Sequence, residues 1–121
     1  MKVHESEEMY LETILRLKES STNVRSIDVA TELGFSRASV SKAVGLLQQK
    51  GYITVEHGGA IRLTVEGKAK AENIYERHQV FTKLLMATGA PKELCEDNAC
   101  RIEHVVSDDM FEYIKNYLKK C

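Results

Sequence analysis

The stretch from Ser26 to Lys50, SIDVATELGFSRASVSKAVGLLQQK, constrains the fold more than any other, because it reads as two short helices joined by a tight turn. Ser26 is expected to cap the first helix, Gly34 to take the left-handed turn position, and Ser36 to cap a second helix running to Gly51. Val29, Ala30 and Leu33 share one face of the first helix; Val40, Ala43, Val44 and Leu47 form an apolar stripe on the second. Small Ala30 and branched Val40 allow a close crossing around Gly34, which is the helix-turn-helix spacing. The second helix then turns Arg37, Ala38, Ser41, Lys42 and Gly45 outward. These short or basic residues suit a DNA major groove. A plain helical hairpin would carry the same apolar faces, so the remainder of the chain must separate the two readings.

The formal net charge of −1 does not advertise a nucleic-acid binder. Local charge does: no Asp or Glu lies between Glu32 and Glu56, whereas Arg37, Lys42 and Lys50 do. With 121 residues, the chain can bury a core without disulfide staples. Its cysteines, Cys95, Cys100 and Cys121, form neither an even disulfide set nor a Cys-x-x-Cys knuckle, so reduced thiols are expected. No long apolar run or signal-type N-terminus is present. A soluble, cytoplasmic protein that does not enter a membrane is therefore expected.

From about Ser6 to Glu19, Tyr10, Leu11, Ile14, Leu15 and Leu17 make an amphipathic helix, with Glu7 and Glu8 where the helix dipole favours them. Met9 and Glu12, at i and i+3, project from one side of it. After the helix-turn-helix, Tyr52 to Val55 and Ile61 to Leu63 alternate in polarity around His57-Gly58-Gly59, as in a small β-hairpin. The fold class is thus mainly α: an N-terminal winged helix-turn-helix with a β-hairpin wing, followed by a helical dimerisation domain. In a winged helix the wing lies beside the recognition helix on the DNA backbone, and Arg62 is its candidate cation, although a solvated strand residue is the alternative. Thr64 should cap a long helix, Val65 to about Thr88, stopped by Gly89 and Pro91. Two further helices are expected, about Pro91 to Val106 and Asp108 to Lys120, the second capped by Ser107. Phe111, Ile114, Tyr117 and Leu118 give the last helix its apolar face. So thin a core favours packing against a second copy, and a homodimer could place two recognition helices one DNA turn apart. The expected domains are residues 1–70 for DNA binding and 71–121 for metal binding and dimerisation.

Cys100, Glu103 and His104 stand at i, i+3 and i+4 of the fifth helix, so thiolate, carboxylate and imidazole can converge on a divalent metal. Read alone, the segment also fits a small buried cysteine beside two surface residues. His78, Met9 and Glu12 could complete a site if their helices meet it. No His-Glu-x-x-His run, phosphate loop or Ser-His-Asp ordering points to an enzyme. Two other functions share these features: a winged-helix regulator responding to a small molecule or to thiol oxidation, and a small metalloenzyme with an open coordination position.

Over essentially its full length the chain resembles the diphtheria-toxin-repressor-type family of iron- and manganese-dependent transcriptional regulators, in a two-domain form without the Src-homology-3-like domain. The resemblance is carried by Glu8-Met9-Tyr10-Leu11-Glu12, by Ser36 to Val44, by Arg77-His78, and by Ala99-Cys100-Arg101-Ile102-Glu103-His104-Val105 followed by Ser107-Asp108. It implies a metal-dependent repressor that binds double-stranded operator DNA through Ser36, Arg37, Ala38, Ser39, Ser41, Lys42 and Arg62. By the same resemblance, Met9, Cys100, Glu103 and His104 match the primary metal site of iron-sensing members. Glu12 and His78 fall where manganese-sensing members place further ligands, although those members have carboxylates at the positions of Met9 and Cys100. Thr82 and Glu96 replace two ligands of the iron-type ancillary site. The expected ion is Fe²⁺, with Mn²⁺ second and Co²⁺, Ni²⁺ or Zn²⁺ able to substitute in vitro. Held between the two modules, a dication would offset the repulsion among Glu7, Glu8, Glu12 and Glu103 and promote operator binding, and the genes controlled would concern metal homeostasis.

Overall fold

The computed structural model describes residues 6–120. They divide into two compact units, one ending at Glu72 and the other beginning at Asn73.

In the first unit, α1 (Glu7–Ser20) starts where Ser6 Oγ accepts from Met9 N at 3.1 Å, with Glu7 and Glu8 in its first turn. Because α2, α3 and β2 all pack on α1, burial is continuous from Met9 to Ile14 rather than confined to one stripe. Leu15 and Leu17 are only partly covered. The helix-turn-helix consists of α2 (Ser26–Leu33) and α3 (Arg37–Gln49). Ser26 does not cap α2 as expected. It is already helical, and the cap position is Arg25, whose amide donates to Asp28 Oδ2 at 2.9 Å. An acidic side chain reaching back three residues does the work the sequence had suggested for the serine hydroxyl. Gly34 takes φ 71°, donating to Ala30 O at 2.9 Å, and Ser36 Oγ accepts from Ser39 N at 3.1 Å. Val40, Val44 and Leu47 of α3 then enter the core with Val29 and Ala30 of α2.

Strands β1 (Ile53–Val55) and β2 (Ile61–Leu63) pair antiparallel, Ile53 with Leu63 and Val55 with Ile61. Alternation buries Ile53 and Ile61 and leaves Thr54 and Arg62 outside. The wing is tied down by Ile53 and Ile61 in the core and by a hydrogen bond from Ile61 N to Val24 O at 2.7 Å. Glu7 of α1 pairs with Lys50 at the end of α3, and the Lys50 ammonium keeps its proton to higher pH because Glu7 hydrogen-bonds it.

Helix α4 (Val65–Met86) is capped by Thr64, whose Oγ1 accepts from Gly67 N at 3.1 Å while its hydroxyl donates to Gly51 O at 2.7 Å. Its first turn lies so close to the chain before β1 that a Cβ on Gly67 would sit 1.9 Å from Tyr52 O. In the second unit α4 is followed by α5 (Lys92–Ile102) and α6 (Asp108–Lys119), and Phe81, Ala99 and Phe111 form its small buried core. Ser107 caps α6 as expected, accepting from Met110 N at 3.2 Å. Helix α5, however, stops at Ile102 rather than Val106. The ladder tightens there, Val105 N donating to Ile102 O at 3.1 Å, and Arg77 of α4 donates to the carbonyls of Glu103 and Val106 in the turn that follows.

The close approach at Gly67 predicts that Gly67→Ala lowers thermal stability by about 1–3 kcal/mol, since backbone rather than a flexible side chain must yield. Gly45→Ala meets nothing within 4 Å and should instead stabilise by about 0.5–1 kcal/mol. Thermal unfolding of the two variants checks both, and equal melting temperatures would contradict the packing described.

Candidate metal centre and nucleic-acid interface

The centre lies where the end of α5 meets α4. Cys100 is in the last turn of α5, while Glu103 is its C-cap residue, with φ −61° and ψ −24°, and His104 follows in the turn. Because Glu103 keeps helical dihedrals, the expected i, i+3, i+4 convergence survives the earlier helix end. Ligand atoms of Cys100, Glu103 and His104 all lie within 4.8 Å of one another. Glu103 is fully buried, and its two carboxylate oxygens face different imidazoles: Oε2 is 2.8 Å from His78 Nδ1, and Oε1 is 3.3 Å from His104 Nε2. Within this unit the structure therefore brings His78, Cys100, Glu103 and His104 together.

This donor set fits a divalent transition metal. Ligand bonds of about 2.0–2.3 Å put neighbouring donors roughly 3–4 Å apart, within small rotamer adjustments of the present arrangement. Thiolate, carboxylate and imidazole span soft to hard character, and a wholly buried carboxylate calls for positive charge. The remaining candidates, Met9 and Glu12, are on α1 of the first unit. Both are buried, at 3% and 5% exposure, and Met9 belongs to the hydrophobic core there.

The DNA-facing candidates lie on α3 and the wing. Arg37, Ala38, Ser41 and Lys42 are exposed, Ser36 is spent on the cap, and Ser39 and Gly45 are half-buried. Among the described residues neither Arg37 nor Lys42 is drawn into an ion pair, so the outer face of α3 keeps its positive charge. Arg62 is exposed but pairs with Glu56 across the wing, which reduces the charge it can offer. Arg25, not singled out from sequence, places its guanidinium beside Gly58 at the wing tip. Its position immediately before the helix-turn-helix was the only signal available. Arg77 was likewise visible only as the neighbour of His78.

Comparison with known proteins bears on both features. The model described as "Iron dependent repressor, N-terminal DNA binding domain" matches residues 2–61, and "Iron dependent repressor, metal binding and dimerisation domain" matches residues 64–121. The chain is similar to the diphtheria toxin repressor of Corynebacterium jeikeium, with 34% identity over 104 residues covering 85% of this chain and 43% of that protein. It is similar to the transcriptional regulator MntR of Escherichia coli O6:H1, with 30% identity over 111 residues covering 92% of this chain and 72% of that one. Among solved structures, a manganese-dependent transcriptional repressor in complex with manganese superposes with a TM-score of 0.84 at 28% identity, over 94% of this chain and 53% of that one. The chain thus spans less than half of the Corynebacterium protein and about half of the manganese-bound one. No helix among the described residues is long and apolar enough to cross a membrane.

Proposed function

Because the chain belongs to the iron-dependent repressor family, we propose that it is a metal-dependent transcriptional repressor that binds double-stranded operator DNA as a homodimer. The observation that carries this reading is the convergence of Cys100, Glu103 and His104 on one point, with His78 on the same carboxylate, in a chain whose recognition helix presents an unpaired basic face. Residues 1–70 act as the DNA-binding domain and residues 71–121 as the metal-binding and dimerisation domain. The metal ligands are His78, Cys100, Glu103 and His104, with Met9 and Glu12 of α1 completing the set. Fe²⁺ is the preferred ion and Mn²⁺ the second. The relatives support both, being a diphtheria toxin repressor within an iron-dependent family and a repressor solved with manganese.

Bound metal supplies two positive charges among carboxylates that otherwise repel one another. The chain's own contribution is geometric. His78 Nδ1 meets Glu103 Oε2 at 2.8 Å, so the carboxylate is aimed before any ion arrives. For self-association, Met110, Tyr113 and Tyr117 expose 52%, 74% and 65% of their surfaces along α6, an apolar face of the kind a second copy would cover. The operator contacts are Ser36, Arg37, Ala38, Ser39, Ser41 and Lys42, with Arg62 on the wing. The family is one of transcriptional regulators, and the cluster needs no catalytic role to account for its donors.

On the DNA side, Arg37→Ala and Lys42→Ala should each weaken binding while leaving metal affinity unchanged. Loss of one phosphate contact should flatten the log-log salt dependence by about one unit. A variant that keeps both full affinity and full slope does not touch DNA at that residue.

On the metal side, the thioether and thiolate of Met9 and Cys100 suit Fe²⁺, Co²⁺ or Ni²⁺ better than Mn²⁺. Operator binding should therefore respond to Fe²⁺ at a lower free concentration than to Mn²⁺. Met9→Asp combined with Cys100→Glu should narrow or reverse that order. Titration of both proteins against buffered free metal, without oxygen, reads the ratio. An unchanged ratio would show that these two residues do not set selectivity.

A further inference from the structure

We propose that Arg77 is the positioning residue of the metal centre: its guanidinium fixes the turn from Glu103 to Asp108, so that Glu103 and His104 present their side chains together. The inference rests on the reading of Glu103 and His104 as ligands. Arg77 precedes His78 on α4, and its side chain is only 7% exposed. Its Nη1 donates to Glu103 O at 3.1 Å and also to Val106 O, and its Nη2 donates to the Asp108 carboxylate. Its guanidinium carbon lies 5.0 Å from the centre of the Phe111 ring. One side chain thus grips the end of α5, the following turn and the start of α6.

Adjacent residues of α4 therefore hold the same residue at both ends: Arg77 takes the Glu103 carbonyl, and His78 takes its carboxylate at 2.8 Å. The last carbonyls of a helix have no partner within it and carry the negative end of its dipole, so a guanidinium satisfies them in both respects. Lysine has neither the planar fork nor the number of donors to reach three acceptors at once. A buried cation beside a dication site is electrostatically unfavourable, which argues that Arg77 is present for the turn and not for the charge. Cys100 lies inside α5 and does not depend on the turn. Loosening Arg77 should consequently separate Cys100 from the other two donors.

Co²⁺ alone, added to the full chain without oxygen, is the probe. Side chains that orient metal ligands typically contribute about 10–100-fold in affinity, and Arg77→Lys and Arg77→Met should weaken Co²⁺ binding by that much. Their thiolate-to-cobalt absorption should persist, since Cys100 keeps its place, while the visible ligand-field bands change as Glu103 and His104 move. Asp108→Ala removes one arm of the grip at a position whose side chain is 88% exposed, so it tests the idea in a protein whose core is untouched. A loss near the lower end of that range is expected from it. Wild-type affinity and spectrum in folded Arg77→Lys, or in Asp108→Ala should neither arginine variant fold, would overturn the proposal. His104→Ala is the separate control: if it binds Co²⁺ like the wild type, the ligand reading itself fails, whatever Arg77 does.

Discussion

Glu103 has no exposed surface, and a carboxylate removed from water is tolerable only where donors or positive charge surround it. Much of the second unit is arranged to meet that demand. His78 from α4 and His104 from the turn face the two oxygens. Arg77 holds the main chain of the same residue, and the small core of Phe81, Ala99 and Phe111 keeps α4, α5 and α6 close enough for those contacts. So few buried apolar groups would be a weak basis for order by themselves. A polar cluster whose members must all be satisfied narrows the ways the three helices can pack.

The first unit follows a different logic. Its core is larger, built from α1, the helix-turn-helix and the wing, and its polar constraints are local: hydroxyl caps at Ser6, Ser36 and Thr64, a left-handed glycine at position 34, and a bare glycine at position 67. Together these hold α3 with its short and basic residues outward. The rigidity matters for recognition because base contacts depend on the register of the helix in the groove, whereas phosphate contacts only position it. Pairing of Glu7 with Lys50 further ties the start of α1, whose first two turns also carry Met9 and Glu12, to the end of α3.

Features encoded over short stretches are legible in the sequence: the Ser36, Thr64 and Ser107 caps, the Gly34 turn, the strands paired across a short glycine turn, and the spacing of Cys100, Glu103 and His104. Features set by distant residues are not. Nothing within α5 marks Ile102 as its end, and the grip of Arg77, far back on α4, on the turn that follows lies outside any local pattern. The cap of α2 is the local exception: serine is the commoner cap, so Ser26 takes precedence in the sequence, while Asp28 bonding back to Arg25 three residues away shows only in the geometry. The depth of Glu103 was hidden for the same reason, since an acidic residue near a helix end ordinarily reads as solvated. Arg62 looked like a free wing cation because its partner, Glu56, sits on the other side of the turn.

The central claim is that metal occupancy and sequence-specific DNA binding are one equilibrium in this chain. Selection of duplexes from a randomised pool, run anaerobically at buffered free Fe²⁺ and in parallel with a chelator, tests it directly. The account predicts that a two-fold symmetric sequence with half-sites about one helical turn apart is enriched in the presence of metal and not in its absence. Enrichment of the same sequence in chelator would contradict it.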